Sequence, residues 1–332
     1  MTSLAVTTYG HRSPAARWLT RREVWVGLLF VLSVVAVGIA RPSFLAYSNA
    51  YDLLTDIAPV VILAAAQTLV IVTGEIDISV GSLLGLSAAV MGLLCYGGHP
   101  VMPVLPAVCI AIGVGLAVGV LNGLLVTIGR VPSIIVTLGM LTMLRGITLL
   151  MMNGTNIEGR PHSLEVLATG SALGLPITIW IAALFTLLCC GGVYFTPLGR
   201  RIYAVGSNPK AAPLAGISIT RIKLFVFALS GFAAGVAAVL QVPRNSLVQS
   251  NVGIGMELLV VTCVVVGGTS ISGGKGTIVG SLVAVLLLGL VPMVLTYIGA
   301  PAEWRMAIQG AFILLAVLAD HVVRGHKTGE AE

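Results

Sequence analysis

The sequence is poor in charge, since only 9% of its 332 residues are Asp, Glu, Lys or Arg. A soluble domain carries about 25% charged residues. Because 57% of the residues are hydrophobic, a surface built from this chain would not be stable in water. The shortage of charge excludes a soluble globular protein and indicates that the lipid bilayer is the main solvent.

The sequence also lacks the residue sets of enzymes and of metal or nucleotide sites. Its five cysteines lie in apolar runs without metal-ligand spacing, so we interpret them as core residues. The glycine-rich stretch 267–276 does not fit a nucleotide-binding loop. Thr269 stands where that loop requires its first glycine, and Gly276 follows Lys275 in place of Ser or Thr. We therefore expect neither an enzyme nor a cofactor bound by this chain.

Long apolar runs dominate what is present. A spanning helix needs about 20 mainly apolar residues. We predict an all-α polytopic membrane protein whose ten spans lie near 24–40, 57–73, 78–96, 101–128, 133–152, 175–195, 222–242, 257–270, 277–298 and 304–323. Two of the runs, 78–96 and 257–270, are short, so their full crossing is left open. The 40 glycines predict close helix packing.

The basic residues collect on one side of these spans. Cytoplasmic loops are enriched in Lys and Arg, and the tail 1–23, the loop 196–222 and the tail 324–332 carry most of them. We expect a multi-pass inner-membrane protein with both termini cytoplasmic and a transmembrane domain over 24–323. Topology accounts for the net charge of +6, so no nucleic-acid partner is expected.

The longest polar stretch is 196–222. It is too polar to span and too rich in Ala and Leu for a plain linker. Asn at a helix cap and Pro in the first turn are start signals, so Asn208-Pro209 predicts a short amphipathic helix that docks on a partner. A solvated loop is the alternative.

A few polar residues interrupt the apolar runs, and a charge within the hydrocarbon needs a reason for its presence. Glu75 and Asp77 form either a solute, ion or proton site or a turn in which Asp77 and Ser79 cap the third span; we favour the turn. Arg145 should face the bundle and bind carbonyls or a carboxylate. Asn122 and Gln67 are typical of interhelical hydrogen bonds.

Four segments in order resemble the permeases of bacterial ATP-binding-cassette sugar importers of the ribose, xylose and arabinose type, which include rhamnose and autoinducer-2 permeases. They are GEIDISVGSLLGLSAAV at 74–90, VPSIIVTLGMLTMLRGITL at 131–149, GRRIYAVGSNPKAAPLAGISITRIK at 199–223 and VVGGTSISGGKGTIVGSLVAVLLLG at 265–289. The resemblance covers nearly all of 24–323. It implies a fold like that of vitamin-uptake permeases.

The resemblance also implies partners: a second permease, two cytoplasmic ATPase subunits that hydrolyse ATP, and a periplasmic solute-binding protein. Residues 204–217 would be the helix that couples to the ATPase. The coupling residues implied are Tyr203, Gly206, Asn208, Ala211, Ala212 and Gly216. Pro213 departs from the family pattern and could kink this helix.

The solute implied is a pentose, a deoxyhexose such as rhamnose, or autoinducer-2. A secondary transporter or facilitator without an ATPase is the alternative. Neighbouring genes for an ATPase and a binding protein would separate the two.

Overall fold

The computed structural model describes residues 22–97, 100–245, 247–301 and 303–328, and helices dominate it. The helices in that part of the chain are α1 (Arg22–Ala40), α2 (Tyr47–Val72), α3 (Val80–Cys95), α4 (Val104–Thr127), α5 (Ser133–Met151), α6 (Glu165–Thr169), α7 (Ile177–Phe195), α8 (Pro197–Ser207), α9 (Ile219–Gln241), α10 (Met256–Val266), α11 (Ile278–Ile298) and α12 (Trp304–Thr328). Strand β1 (Ile157–Glu158) pairs with β4 (Leu247–Val248), and β2 (Ser171–Ala172) pairs with β3 (Leu175–Pro176), both antiparallel.

A helix lies at each of the ten predicted spans, which confirms the all-α membrane fold. Seven of the described helices are long and apolar enough to cross a bilayer, whereas α3, α10 and the apolar part of α12 are shorter. Helix α10 has 11 residues, and at about 1.5 Å per residue it covers roughly half of a 30 Å hydrocarbon core. The predicted span 257–270 therefore does not cross as a helix.

Two predicted boundaries need comment. Helix α12 continues to Thr328, so the predicted C-terminal tail at 324–332 begins as helix. Most of the predicted N-terminal tail, residues 1–21, lies outside the described residues.

Helix α2 is the centre of the bundle. Nearly every side chain from Ile57 to Val72 is buried, and α7, α9, α10 and α11 pack around it. Other helices cover this part of α2 on every side. Apolar residues therefore lie on all of its faces and not on a single stripe. Helix α1, by contrast, exposes most of its apolar side chains.

Helices α4 and α9 pack backbone against backbone along a row of glycines. A Cβ atom on Gly119 would lie 2.8 Å from the Cα of Gly231, and one on Gly115 would lie 2.9 Å from the backbone nitrogen of Gly235. Neither position has room for a methyl group, and small residues permit such close packing in lipid. This interface fulfils the close packing that the glycine content predicts.

The two ends of the bundle differ in charge. We call one end the basic end because its loops and adjoining helices carry Arg130, Arg200, Arg201, Lys210, Arg221 and Lys275. The opposite end carries Asp52, Asp56, Glu158, Glu165 and Glu303. The β1–β4 pair and the hydrogen bond from Tyr47 Oη to the carbonyl of Gly174, 2.5 Å, tie the segments of the opposite end together.

The segment from α10 to α11, residues 267–277, is called the glycine loop, and it lies against the basic end of α2. The N–H of Gly274 donates to the carbonyl of Val72 at 2.8 Å. A Cβ on Gly273 would lie 2.8 Å from the nitrogen of Gly74. Irregular backbone is tolerated at membrane depth only where other parts of the protein cover it. The glycines permit that cover because they let the two backbone segments come into direct contact.

Candidate functional site

The turn between α2 and α3, residues 73–79, is called the polar turn. Helix α2 ends in a Schellman motif: Gly74 has a φ of 83°, its N–H donates to the carbonyl of Ile71 at 2.9 Å, and that of Glu75 to the carbonyl of Val70 at 3.3 Å. Glycine is required because other residues are strained at positive φ. The chain therefore leaves the helix here and presents Glu75 and Asp77 to the bundle.

Asp77 is the fully buried acceptor of the polar turn. Its Oδ1 accepts hydrogen bonds from the backbone N–H of Ser79 at 2.9 Å and from Ser79 Oγ at 2.6 Å. Its Oδ2 accepts one from Ser230 Oγ of α9 at 2.9 Å. A buried carboxyl group is tolerated only when its oxygens are hydrogen-bonded, and both oxygens are.

Two amides extend this network to further helices. Asn122 Nδ2 of α4 donates to Ser79 Oγ at 2.9 Å, and Gln67 Nε2 of α2 donates to the carbonyl of Asp77 at 3.1 Å. The bond of Asn122 joins two helices as predicted, whereas Gln67 bonds to the polar turn rather than to another helix. Four helices thus meet around Asp77: α2, α3, α4 and α9.

The predicted capping of α3 is wrong in detail. Ser79 occupies the N-cap position, but no helix N–H bonds to its side chain. The Asp77 carboxylate binds the N–H of Ser79, which precedes the first helical residue, Val80. Since Ser79 Oγ is already engaged by Asp77 and Asn122, the tertiary network takes the place of a local cap.

Glu75 forms an ion pair with Lys223 of α9, and both side chains are largely buried. The sequence analysis assigns no partner to Lys223, because pairing across 148 positions gives no local signal. Helix α9 therefore holds the polar turn twice, through Lys223 and through Ser230.

Arg145 lies in α5 and bonds to none of the polar-turn residues described. Its Nη1 donates to the carbonyl of Val252 at 2.8 Å, as predicted for an arginine that faces the bundle. The charge of Glu257 acts on it, and Glu257 Oε2 is buried without a hydrogen bond to a described residue. Sequence reasoning missed Glu257, although a carboxylate in the first turn of an apolar run was a visible signal.

The predicted helix at Asn208-Pro209 is wrong in position. Helix α8 ends at Ser207, and it begins after Thr196, whose Oγ1 accepts the N–H of Leu198 at 3.2 Å. Thr196-Pro197 is the start signal that the chain uses. After Asn208 the chain forms only a 3₁₀ turn at Ala212–Ala215. A longer α-helix is disfavoured here because Ala212 precedes Pro213, and a residue before a proline avoids the α-helical conformation.

The six predicted coupling residues divide into an inner and an outer group. Tyr203 Oη donates to the carbonyl of Gly276 at 2.6 Å, and burial raises the pKa of the Tyr203 phenol. A Cβ on Gly206 would lie 2.7 Å from the nitrogen of Gly274. Both residues thus pack α8 on the glycine loop.

The outer group lies in the α8–α9 loop, residues 208–218. Asn208 Oδ1 accepts the N–H groups of Lys210 at 3.1 Å and Ala211 at 3.0 Å, which fixes the turn. Ala212 is buried, Gly216 ends the 3₁₀ turn with a φ of 72°, and Ala211 is exposed. This geometry projects Leu214 outward with 90% of its surface exposed.

We predict that Asp77→Ala lowers the thermal stability of the purified protein, because three buried donors lose their acceptor. Each unsatisfied donor costs about 1–3 kcal/mol. Asp77→Asn should lower it less, since its amide oxygen still accepts. Asp52→Ala is the matched control, since Asp52 is exposed. The fraction of monodisperse protein after heating measures the effect, and an Asp77→Ala variant as stable as wild type contradicts the structural role.

Comparisons with known proteins show similarity to membrane transport permeases. Residues 49–317 match the family described as branched-chain amino acid transport system / permease component. The ribose import permease protein RbsC of Escherichia coli strain K12 is 37% identical over 319 residues, which are 95% of this chain and 98% of that protein. No solved structure matches the chain significantly.

Two further relatives carry other solutes in their names. The L-arabinose ABC transporter permease protein AraH of Azospirillum brasilense is 32% identical over 95% of this chain and 92% of its own length. The autoinducer 2 import system permease protein LsrC of Yersinia pseudotuberculosis is 34% identical over 91% and 85%. These relatives are transport permeases and not enzymes. The chain therefore belongs to this permease family, whose sugar-importer members it resembles along almost its whole length.

Proposed function

We propose that this chain is the transmembrane permease subunit of an ATP-binding-cassette importer for a small sugar or sugar-like solute. The observation that carries the proposal is Leu214, a large apolar side chain that is 90% exposed on a firmly attached loop at the basic end. A hydrophobic side chain presented in this way fits a pocket on a partner protein. Lipid does not explain it, because the loop lies within 196–222, the longest polar stretch of the chain.

The α8–α9 loop is connected to the interior of the bundle at both of its ends, so a displacement of the loop would move interior segments. On one side, α8 is tied to the glycine loop through Tyr203. On the other, α9 is tied to the polar turn through Lys223 and Ser230. Docked cytoplasmic ATPase subunits, which hydrolyse the ATP, would thereby act on both the glycine loop and the polar turn. A secondary transporter has no ATPase subunit that would bind this loop.

The remaining partners follow from the same proposal. A second permease, of the same or another chain, completes the pathway, lipid surrounds the pair, and a periplasmic solute-binding protein docks at the opposite end. ATP is bound by the ATPase subunits and not by this chain. The relatives named for ribose, L-arabinose and autoinducer 2 support a sugar or sugar-like solute over a branched-chain amino acid.

The orientation proposed is an inner-membrane protein with the basic end and both termini in the cytoplasm, because Lys and Arg are retained on that side. In a variant without the native cysteines, Ser163→Cys at the opposite end should react with an impermeant thiol reagent in intact cells. Ser207→Cys should react only after the membrane is opened. Both serines are exposed, so the reverse labelling pattern contradicts the orientation.

We predict that Leu214→Glu abolishes coupling without loss of folding, because the side chain has few contacts within the chain. Copurification with the ATPase subunit and ATP-dependent sugar uptake in proteoliposomes should both fall at least about tenfold. Leu173→Glu is the matched control, because Leu173 is 91% exposed at the opposite end. Gly216 is a poorer test position, since any side chain at its positive φ is strained.

Three results would contradict the proposal. The first is normal copurification and uptake in Leu214→Glu. The second is an equal loss of ATPase binding in Leu173→Glu. The third is wild-type uptake of D-ribose, L-arabinose or autoinducer 2 that proceeds without ATP, or ATP-driven uptake of L-leucine in place of any sugar.

A further inference from the structure

A cavity of about 400 Å³ lies at the opposite end of the bundle from the α8–α9 loop. Helices α2, α9, α10, α11 and α12 surround it, and we call it the polar cavity. Ligand pockets in proteins measure about 300–1,000 Å³, so the polar cavity has room for one small molecule. Its polar lining residues are Asp56, Gln241, Thr296 and Arg305.

Several of these groups are available to a ligand. Gln241 makes no hydrogen bond to any described residue, and neither does Arg305, although its charge acts on Asp56. Thr296 Oγ1 donates to the carbonyl of Pro292 at 3.0 Å and remains free to accept. An amide, a guanidinium and a hydroxyl in one cavity offer both donors and acceptors.

The backbone of α11 supplies a further acceptor. Pro292 lies inside this helix, and proline cannot donate the hydrogen bond that the carbonyl of Leu288 would receive in a regular helix. Both residues line the polar cavity. The apolar part of the lining includes Leu53, Ile57 and Met256. Mixed walls of this kind suit a molecule with hydroxyl groups on one face and C–H groups on the other.

The carboxylate of the cavity is already paired, and the charge of Arg305 acts on it as well. Asp56 Oδ1 accepts a hydrogen bond from Arg244 Nε at 2.7 Å, so its carboxylate already has a cationic partner. An amino-acid zwitterion would need a free carboxylate for its ammonium group, because an unpaired buried charge is costly. A neutral polyol needs none, since each hydroxyl donates and accepts.

We propose that the polar cavity is a solute subsite within a single chain, and that it binds a neutral polyhydroxylated molecule of monosaccharide size. The inference rests on the proposed importer function and adds to it the place in the chain where the solute binds. In this proposal Gln241 binds a hydroxyl group of the ligand directly, and Arg305 of α12 donates a second hydrogen bond.

The experiment uses the complete complex in proteoliposomes, with D-ribose, L-arabinose and L-leucine as the tested solutes. Gln241→Leu keeps the size of the side chain and removes its amide. Uptake of the sugar that wild type transports should fall roughly tenfold, the loss expected for one hydrogen bond. Hydrolysis of ATP stimulated by the binding protein should stay within about twofold of wild type. Gln249→Leu, an exposed glutamine outside the cavity, is the matched control and should transport normally.

Thr296→Val serves as a second variant because it retains shape and removes only the hydroxyl group. If Gln241→Leu fails to assemble, a loss of uptake in Thr296→Val with intact ATP hydrolysis supports the subsite. Unchanged sugar uptake in the assembled variants overturns it, as does an equal loss in Gln249→Leu. Transport of L-leucine in place of the sugars overturns the ligand class. Wild-type complex without ATP-driven uptake is a different result, which removes the proposed importer function itself.

Discussion

In a bilayer every buried polar group must find its partner inside the protein, and the rest of this structure depends on how that demand is met. Two of the non-helical segments at the basic end lie against each other: the polar turn at 73–79 and the glycine loop at 267–277. Each is covered by the other, since Gly274 bonds to Val72 and Gly273 touches Gly74. Asp77 supplies the acceptor that the serines around it require. Without these contacts the backbone polar groups of both segments would lack this cover.

Helix α9 joins this interior to the surface. It begins directly after the α8–α9 loop, carries Lys223 and Ser230 to the polar turn, and packs along α4 through glycines. Backbone contact at Gly231 leaves no side chain to yield, so a displacement of α9 is passed on as a rigid movement. The same helix ends at Gln241 beside the polar cavity. One helix therefore connects the proposed ATPase contact with the proposed solute subsite.

Much of this could be predicted from the sequence. Apolar length located a helix at each of the ten predicted spans, and the cost of charge in lipid predicted that Arg145 faces the bundle, where its Nη1 bonds to the carbonyl of Val252. Prediction failed where several local signals compete. Thr196-Pro197 and Asn208-Pro209 are both signals for the start of a helix. The helix begins at Thr196-Pro197, and in this position its residues Tyr203 and Gly206 pack on the glycine loop. The pairing of Glu75 with Lys223 and the polar cavity arise only from the placement of distant helices, for which the sequence has no local pattern.

The ion pair between Glu75 and Lys223 tests most directly whether α9 links the loop to the interior. Glu75→Lys and Lys223→Glu should each reduce the ATP hydrolysis stimulated by the binding protein, because two like charges would face each other in a largely buried site. The double exchange restores opposite charges at the same positions, and it should recover most of the stimulated hydrolysis and uptake. A double variant that is no more active than either single variant would show that the pair does not couple the two elements.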